Sequence, residues 1–127
     1  VADVRASLSA EPSSLPLVRS LVGGFLDECD VGDSAFYDAL LVANELATNA
    51  IEHGSAEEDE IEIHVELLRN RLRIIVYDRA RQGRSPVALT PDEHRDGGRG
   101  LQVVAQLADW SERIVGGRRE VRAELPL

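Results

Sequence analysis

Lysine is missing altogether from these 127 residues, and all fourteen basic side chains are arginines. That absence excludes a phosphate-binding loop of the GxxxxGK[ST] type, whose lysine has to reach the β- and γ-phosphates. Cysteine is nearly as scarce. With Cys29 alone, no internal disulfide can form, and a reducing, cytoplasmic setting is the expectation. No apolar run approaches the roughly 18 residues that cross a bilayer, so no membrane partner is expected. The opening stretch VADVRASLSAEP also lacks the basic start and apolar centre of a signal peptide. Excess positive charge is absent as well. A net charge of −9 argues against direct nucleic-acid binding, whose affinity comes mostly from neutralising phosphates. His53, His64 and His94 have no metal-ligand spacing with Cys29, and no GxSxG elbow occurs.

What is present suits one globular domain, residues 1–127, with an apolar fraction of 43%. The first residue is Val1 rather than Met, so a piece cut from a longer protein is also expected. Val4 to Leu8 alternate as a strand. From Pro12, apolar residues Leu17, Val18, Leu21, Val22, Phe25 and Leu26 recur at helical spacing and fade near Cys29, with Gly32 as a break. A second helix, capped by Asp33 or Ser34, runs to about His53 and stops at Gly54. Ile61 to Leu67 and Leu72 to Val76 read as a hairpin with one buried face, turning at Arg69–Arg71. Residues 79–97 lose all periodicity, as a lid or binding loop does. Leu101, Val104, Ala105 and Ala108 mark a third helix, and strands near Trp110–Val115 and Glu120–Leu125 flank Gly116–Gly117. The order predicts a two-layer α/β (α+β) sandwich, with helices on one face of a mixed, mainly antiparallel sheet.

The second helix carries the chemistry. Projected at about 100° per residue, Phe36, Ala39, Leu40, Ala43, Leu46, Ala47, Ala50 and Ile51 cover most of its circumference. Asp38, Glu45, Asn49 and Glu52 form the remaining narrow polar stripe. For a generic helix a solvated stripe is the ordinary explanation. Here the helix is apolar nearly all round, so a charge on it needs solvent, a partner or a ligand. A carboxylate and an amide one turn apart suit a hydrated magnesium ion and a nucleophile.

The string ELATNAIEHG, Glu45 to Gly54, resembles the asparagine box of the Bergerat-fold ATPases, which include gyrase, heat-shock chaperone, histidine kinase and MutL relatives. Within that group it is most similar to the anti-sigma-factor serine kinases. The resemblance spans essentially the whole chain: long helix, asparagine box, strand ending in Asp78, lid, then GGRGL. It implies ATP and magnesium as cofactors. Asn49 would ligate the magnesium that bridges the phosphates, and Glu45 would be the general base. His53 and Glu52 would orient phosphate or metal-bound water. Asp78, otherwise an ordinary turn former at a strand end, would accept a hydrogen bond from the adenine amino group, with Ala80 under the base. Gly98, Arg99, Gly100 and Leu101 would hold the phosphates, since glycines opening a helix let backbone N–H groups approach an anion. Arg99 would add charge-assisted bonds. Arg79, Arg81, Arg84 and Arg95 of the lid are weaker candidates.

Two positions depart from the family. Asp-x-Gly is usual where this chain reads Asp78-Arg79-Ala80, and alanine lacks glycine's freedom at positive φ. A threonine or serine commonly precedes the last strand and touches a phosphate. Here the stretch is Gly117-Arg118-Arg119-Glu120, so either an arginine replaces that contact or the contact is gone. The leading expectation is an ATP-dependent protein serine kinase that phosphorylates an anti-sigma antagonist and sequesters a sigma factor, with homodimerisation open. The rivals are a non-catalytic nucleotide-sensing interaction module and the kinase domain of a multidomain stress regulator.

Overall fold

The computed structural model describes residues 2–54, 56, 58–79 and 99–127, with the side chains of residues 54, 99 and 100 outside that description. Five strands are present: β1 (Ala2–Ser9), β2 (Glu60–Leu67), β3 (Arg71–Asp78), β4 (Asp109–Val115) and β5 (Arg118–Pro126). They form one sheet in the order β1–β2–β3–β5–β4, and every described pair is antiparallel. Strict alternation decides which face is which. Ile61, Ile63 and Val65, Leu72, Ile74 and Val76, and Val121, Ala123 and Leu125 all point inward and are buried. Their neighbours on the other face are mostly charged.

Helices cover the apolar face. A 3-10 turn (Pro12–Ser14) leads into α1 (Leu15–Glu28), which buries Val18, Val22 and Leu26 at helical spacing. Asp30, at φ 56°, takes the left-handed conformation that ends it. α2 (Asp33–Asn49) follows and buries Ala39, Val42, Ala43, Leu46 and Ala47. Its N-cap is Gly32, not Asp33 or Ser34 as expected. The Phe36 amide closes the first turn on the Gly32 carbonyl at 2.8 Å, and Asp33 sits inside that turn, where the helix dipole favours a negative charge.

α3 (Arg99–Leu107) buries Leu101 and Val104, while Ala105, expected on that face, is exposed. Leu107, Ala108 and Trp110 pack at the margin of the core instead. β4 and β5 are joined by Gly116 and Gly117 at φ 58° and 80°, the two-residue hairpin turn that needs positive φ at both positions. β5 therefore starts at Arg118, two residues earlier than its periodicity suggested, which turns Arg118 and Arg119 from turn residues into strand residues.

Candidate functional site

The C-terminal end of α2, the end of β3 and the start of β5 meet on the helix-covered face. Glu45 and Asn49 lie one turn apart on α2, with Glu45 half-buried and Asn49 at 6% exposure. Burial, and then the negative charge of Glu52, pushes the Glu45 carboxyl above its ordinary range. A carboxylate shifted towards neutrality is better matched to accepting a proton near pH 7. Among the described residues the buried Asn49 Nδ2 has no hydrogen-bond partner. An unmade bond at a buried amide costs about 1–3 kcal/mol, so such a group asks for a reason in a native fold. A phosphate or a metal-bound water is an acceptor that would satisfy it, and the amide oxygen on the same side chain is a hard ligand suited to magnesium.

Past Asn49 the helix widens into a π-helical turn (Ala50–Gly54) carrying Glu52 and His53. Single π turns inside α-helices are frequent at functional sites. His53 Nε2 lies 3.8 Å from Glu52 Oε1, and Glu52 is the more exposed of the two.

Asp78 ends β3 as the fourth inward residue after Leu72, Ile74 and Val76, at 2% exposure. It sits directly opposite Arg119 of β5 in the antiparallel register. The Arg119 Nε and Nη2 both donate to Asp78 Oδ2, at 2.9 and 2.6 Å. Its Nη1 donates to Glu112 Oε1 of β4 at 3.0 Å, and its Nη2 lies 3.5 Å from the Asn49 backbone carbonyl. The guanidinium is completely buried. Arg118 points the other way, to Glu62 at 2.8 Å and over the Tyr77 ring.

The structure thus brings Glu45, Asn49, His53 and Asp78 to one end of the helix layer. Leu101 is buried in the first turn of α3 and belongs to the hydrophobic core. Arg99 and Gly100 open α3 in backbone. Ala80, Gly98 and the lid arginines Arg81, Arg84 and Arg95 lie outside the described residues. Arg119 was not foreseen as the partner of Asp78, nor Glu112 as the second carboxylate on Arg119. The signal was available, because Arg119 falls on the same alternate positions as Val121, Ala123 and Leu125.

A cleft of about 550 Å³ lies at the opposite end of α2, lined by residues including Cys29, Asp33, Arg69 and Leu127. None of the residues lining it belongs to the α2–β3–β5 constellation. Among the described residues no cluster of three His, Cys, Asp or Glu is placed to hold a metal, and no helix is long and apolar enough to cross a membrane.

Comparison with known proteins bears on the family and the fold. Residues 8–124 match the family described as "Histidine kinase-like ATPase domain". No curated protein matches the chain. Among solved structures, a Mycobacterium tuberculosis protein carrying RsbU and RsbW domains aligns over 100% of this chain with a TM-score of 0.71 and 18% identity. The chain spans 33% of that protein's length. A chain of the SiaB–SiaC complex from Pseudomonas aeruginosa aligns over 98% of this chain and 89% of its own, with a TM-score of 0.68 and 12% identity. The catalytic domain of the histidine kinase ThkA aligns over 99% and 96%, with a TM-score of 0.54 and 14% identity. At such identities the likeness is one of fold, namely three helices on a five-stranded antiparallel sheet of the Bergerat type.

Proposed function

The chain belongs to the histidine kinase-like ATPase domain family, and on that premise we propose that it is a magnesium- and ATP-dependent protein serine kinase acting on an anti-sigma antagonist, and that it sequesters a sigma factor in the cytoplasm. The observation that carries the reading is the pair on α2. Glu45 is half-buried and raised in pKa, and one turn later Asn49 holds a buried amide with no hydrogen-bond partner among the described residues. In this reading Glu45 takes the proton of the serine hydroxyl as its oxygen attacks the γ-phosphorus of ATP. The bond to the bridging β–γ oxygen breaks and ADP leaves. Asn49 would hold magnesium, which when bound spreads the charge of the transferring phosphoryl group. Asp78 would accept from the adenine amino group, and the backbone at Gly98, Arg99 and Gly100 would face the phosphates. The RsbW domain and the SiaB–SiaC complex among the structural neighbours support the choice of partners.

A non-catalytic nucleotide sensor is the second reading, favoured by Ala80 in place of glycine and by the absence of a threonine or serine in Gly117-Arg118-Arg119-Glu120. A domain of a longer regulator is a third, in keeping with the RsbU domain beside the RsbW domain in the M. tuberculosis protein. Calorimetric titration of ATP with and without magnesium, on wild type and Asn49→Ala, tests the site first. We expect magnesium-dependent binding that the variant loses. Absence of binding at millimolar ATP would sink the kinase and the sensor readings together. Phosphotransfer then separates those two: Glu45→Ala should bind ATP yet lose about 10²–10⁴-fold in transfer rate.

A further inference from the structure

Arg119 is the largest completely buried side chain among the described residues, and it reaches three separate elements. Its fork closes on a single oxygen of Asp78 through two N–H groups, its third nitrogen takes Glu112 on β4, and its Nη2 lies 3.5 Å from the last carbonyl of α2. Phosphate recognition does not explain that orientation, since the guanidinium is spent on two carboxylates. General packing does not require it either, because a buried ion pair is weak support for stability compared with an apolar pair of similar volume. What the arrangement does do is fix geometry. A carboxylate at a strand end is otherwise free to turn about its Cβ–Cγ bond, and two N–H groups of one planar guanidinium converging on one oxygen restrain that turn. The same guanidinium ties that carboxylate to the backbone of Asn49, and a cation at a helix C-terminus is favoured by the dipole.

We propose that Arg119 is the positioning residue of the base-reading carboxylate. It holds one oxygen of Asp78 and the carbonyl end of α2 in one frame, and so sets both the preference for a purine bearing a 6-amino group and the spacing from base to metal-binding Asn49. The proposal deepens the nucleotide-site reading above and rests on it. Asp78 is then an acceptor aimed by Arg119, and a purine without an amino donor at that edge loses the bond that the frame was built to make.

The test compares ATP with purine riboside 5′-triphosphate, which lacks the 6-amino group, by calorimetry in magnesium. Wild type should favour ATP by about ten- to a hundredfold, the scale of a hydrogen bond to a charged group. Arg119→Lys keeps the charge but not the fork, and should bring the two ligands to within about threefold, the level at which less than one kcal/mol separates them. A merely structural role would weaken both ligands alike and leave their ratio unchanged, which overturns the proposal. Wild type that binds neither triphosphate overturns the nucleotide reading and this one together. Wild-type preference retained in the lysine variant overturns this one alone. Should the variant not fold, the Arg119 Nε–H resonance of wild type decides. Continued protection from solvent exchange, with a larger shift on ATP than on the purine analogue, supports the positioning role. Loss of that protection on ATP binding means that adenine displaces the guanidinium, and the proposal falls.

Discussion

Arginine meets carboxylates on both faces of the sheet, under very different conditions. On the open face Arg73 bridges Glu66 and Glu124 across three strands at 3.2 and 3.0 Å, Arg118 reaches Glu62, and Arg113 reaches Glu120 at 2.8 Å. Arg73 with Glu66 and Glu124, and Arg113 with Glu120, are cross-strand neighbours in register, whereas Arg118 reaches Glu62 across the intervening β3. Most keep part of their side chain in water. Ile75, on the same face, lies between His64 and Arg122 in register and is 3% exposed. Beneath the helices the same chemistry is dry, with Arg119 and Asp78 both at 0% side-chain exposure. An exposed pair is repaid little because water already solvates both charges, whereas a buried one is held to its partner by the cost of being alone. The open-face ladder therefore leaves its charges in contact with water, and the buried cluster fixes one geometry.

The sharpest way to break that comparison is Arg119→Met. Methionine fills much of the space yet takes the guanidinium away from two buried carboxylates, so unfolding free energy should fall by about 3–5 kcal/mol, read from the urea midpoint at constant m-value. A loss no larger than that of an open-face variant would erase the distinction between the faces.

Arg73→Ala is the matching test on the open face. Its expected cost is about 0.2–1 kcal/mol, shrinking as salt is added. Here pH adds a second reading. Burial alone would raise the Glu124 carboxyl, but the hydrogen bonds from Arg71 and Arg73 outweigh it and hold the group below its ordinary value of 4.5. A depressed carboxyl contributes stability above the unfolded pKa, and that contribution is lost as pH falls through the folded one. Wild type should thus lose stability below pH 4.5 more steeply than Arg73→Ala, and parallel acid limbs would show that the pairing is energetically silent.

The difference between the faces also explains what could be read in advance. Period-two alternation and helical spacing carry the burial pattern directly, so the strands from Ile61 and Leu72 and the first two helices sit where the residues placed them. Glu45 and Asn49 stood out because a polar stripe on an apolar helix is conspicuous. Arg119 did not, because beside Gly116 and Gly117 a pair of arginines looks like a turn, and turn chemistry masked the alternation that carries it inward. The Gly32 cap was missed for a related reason. Asp33 and Ser34 are better side-chain caps in general, but the extended backbone of Gly32, at φ −64° and ψ 156°, already occupies the cap position.

Glu45 falls between the two faces, half-buried and facing another carboxylate instead of an arginine, so it should show the smallest and oppositely signed effect. Its carboxyl is raised first by burial and then by Glu52. A raised acid binds its proton more tightly folded than unfolded, so stability falls as pH rises through the window above 4.5 and stays at the lower level beyond the folded pKa. Removing the charge with Glu45→Gln should then raise the urea midpoint slightly at pH 7, with the gain disappearing once pH drops below the unfolded value. On the proposed kinase reading the same variant should also lose phosphotransfer, because an amide cannot take up a hydroxyl proton, and a stability gain coupled to lost activity is the expected signature of such a base. Midpoints measured at pH 7 and pH 4 decide it. A gain equal at both would mean that the glutamine packs better rather than that the charge was costly, and Glu45 would lose the one electrostatic feature that marks it as a base.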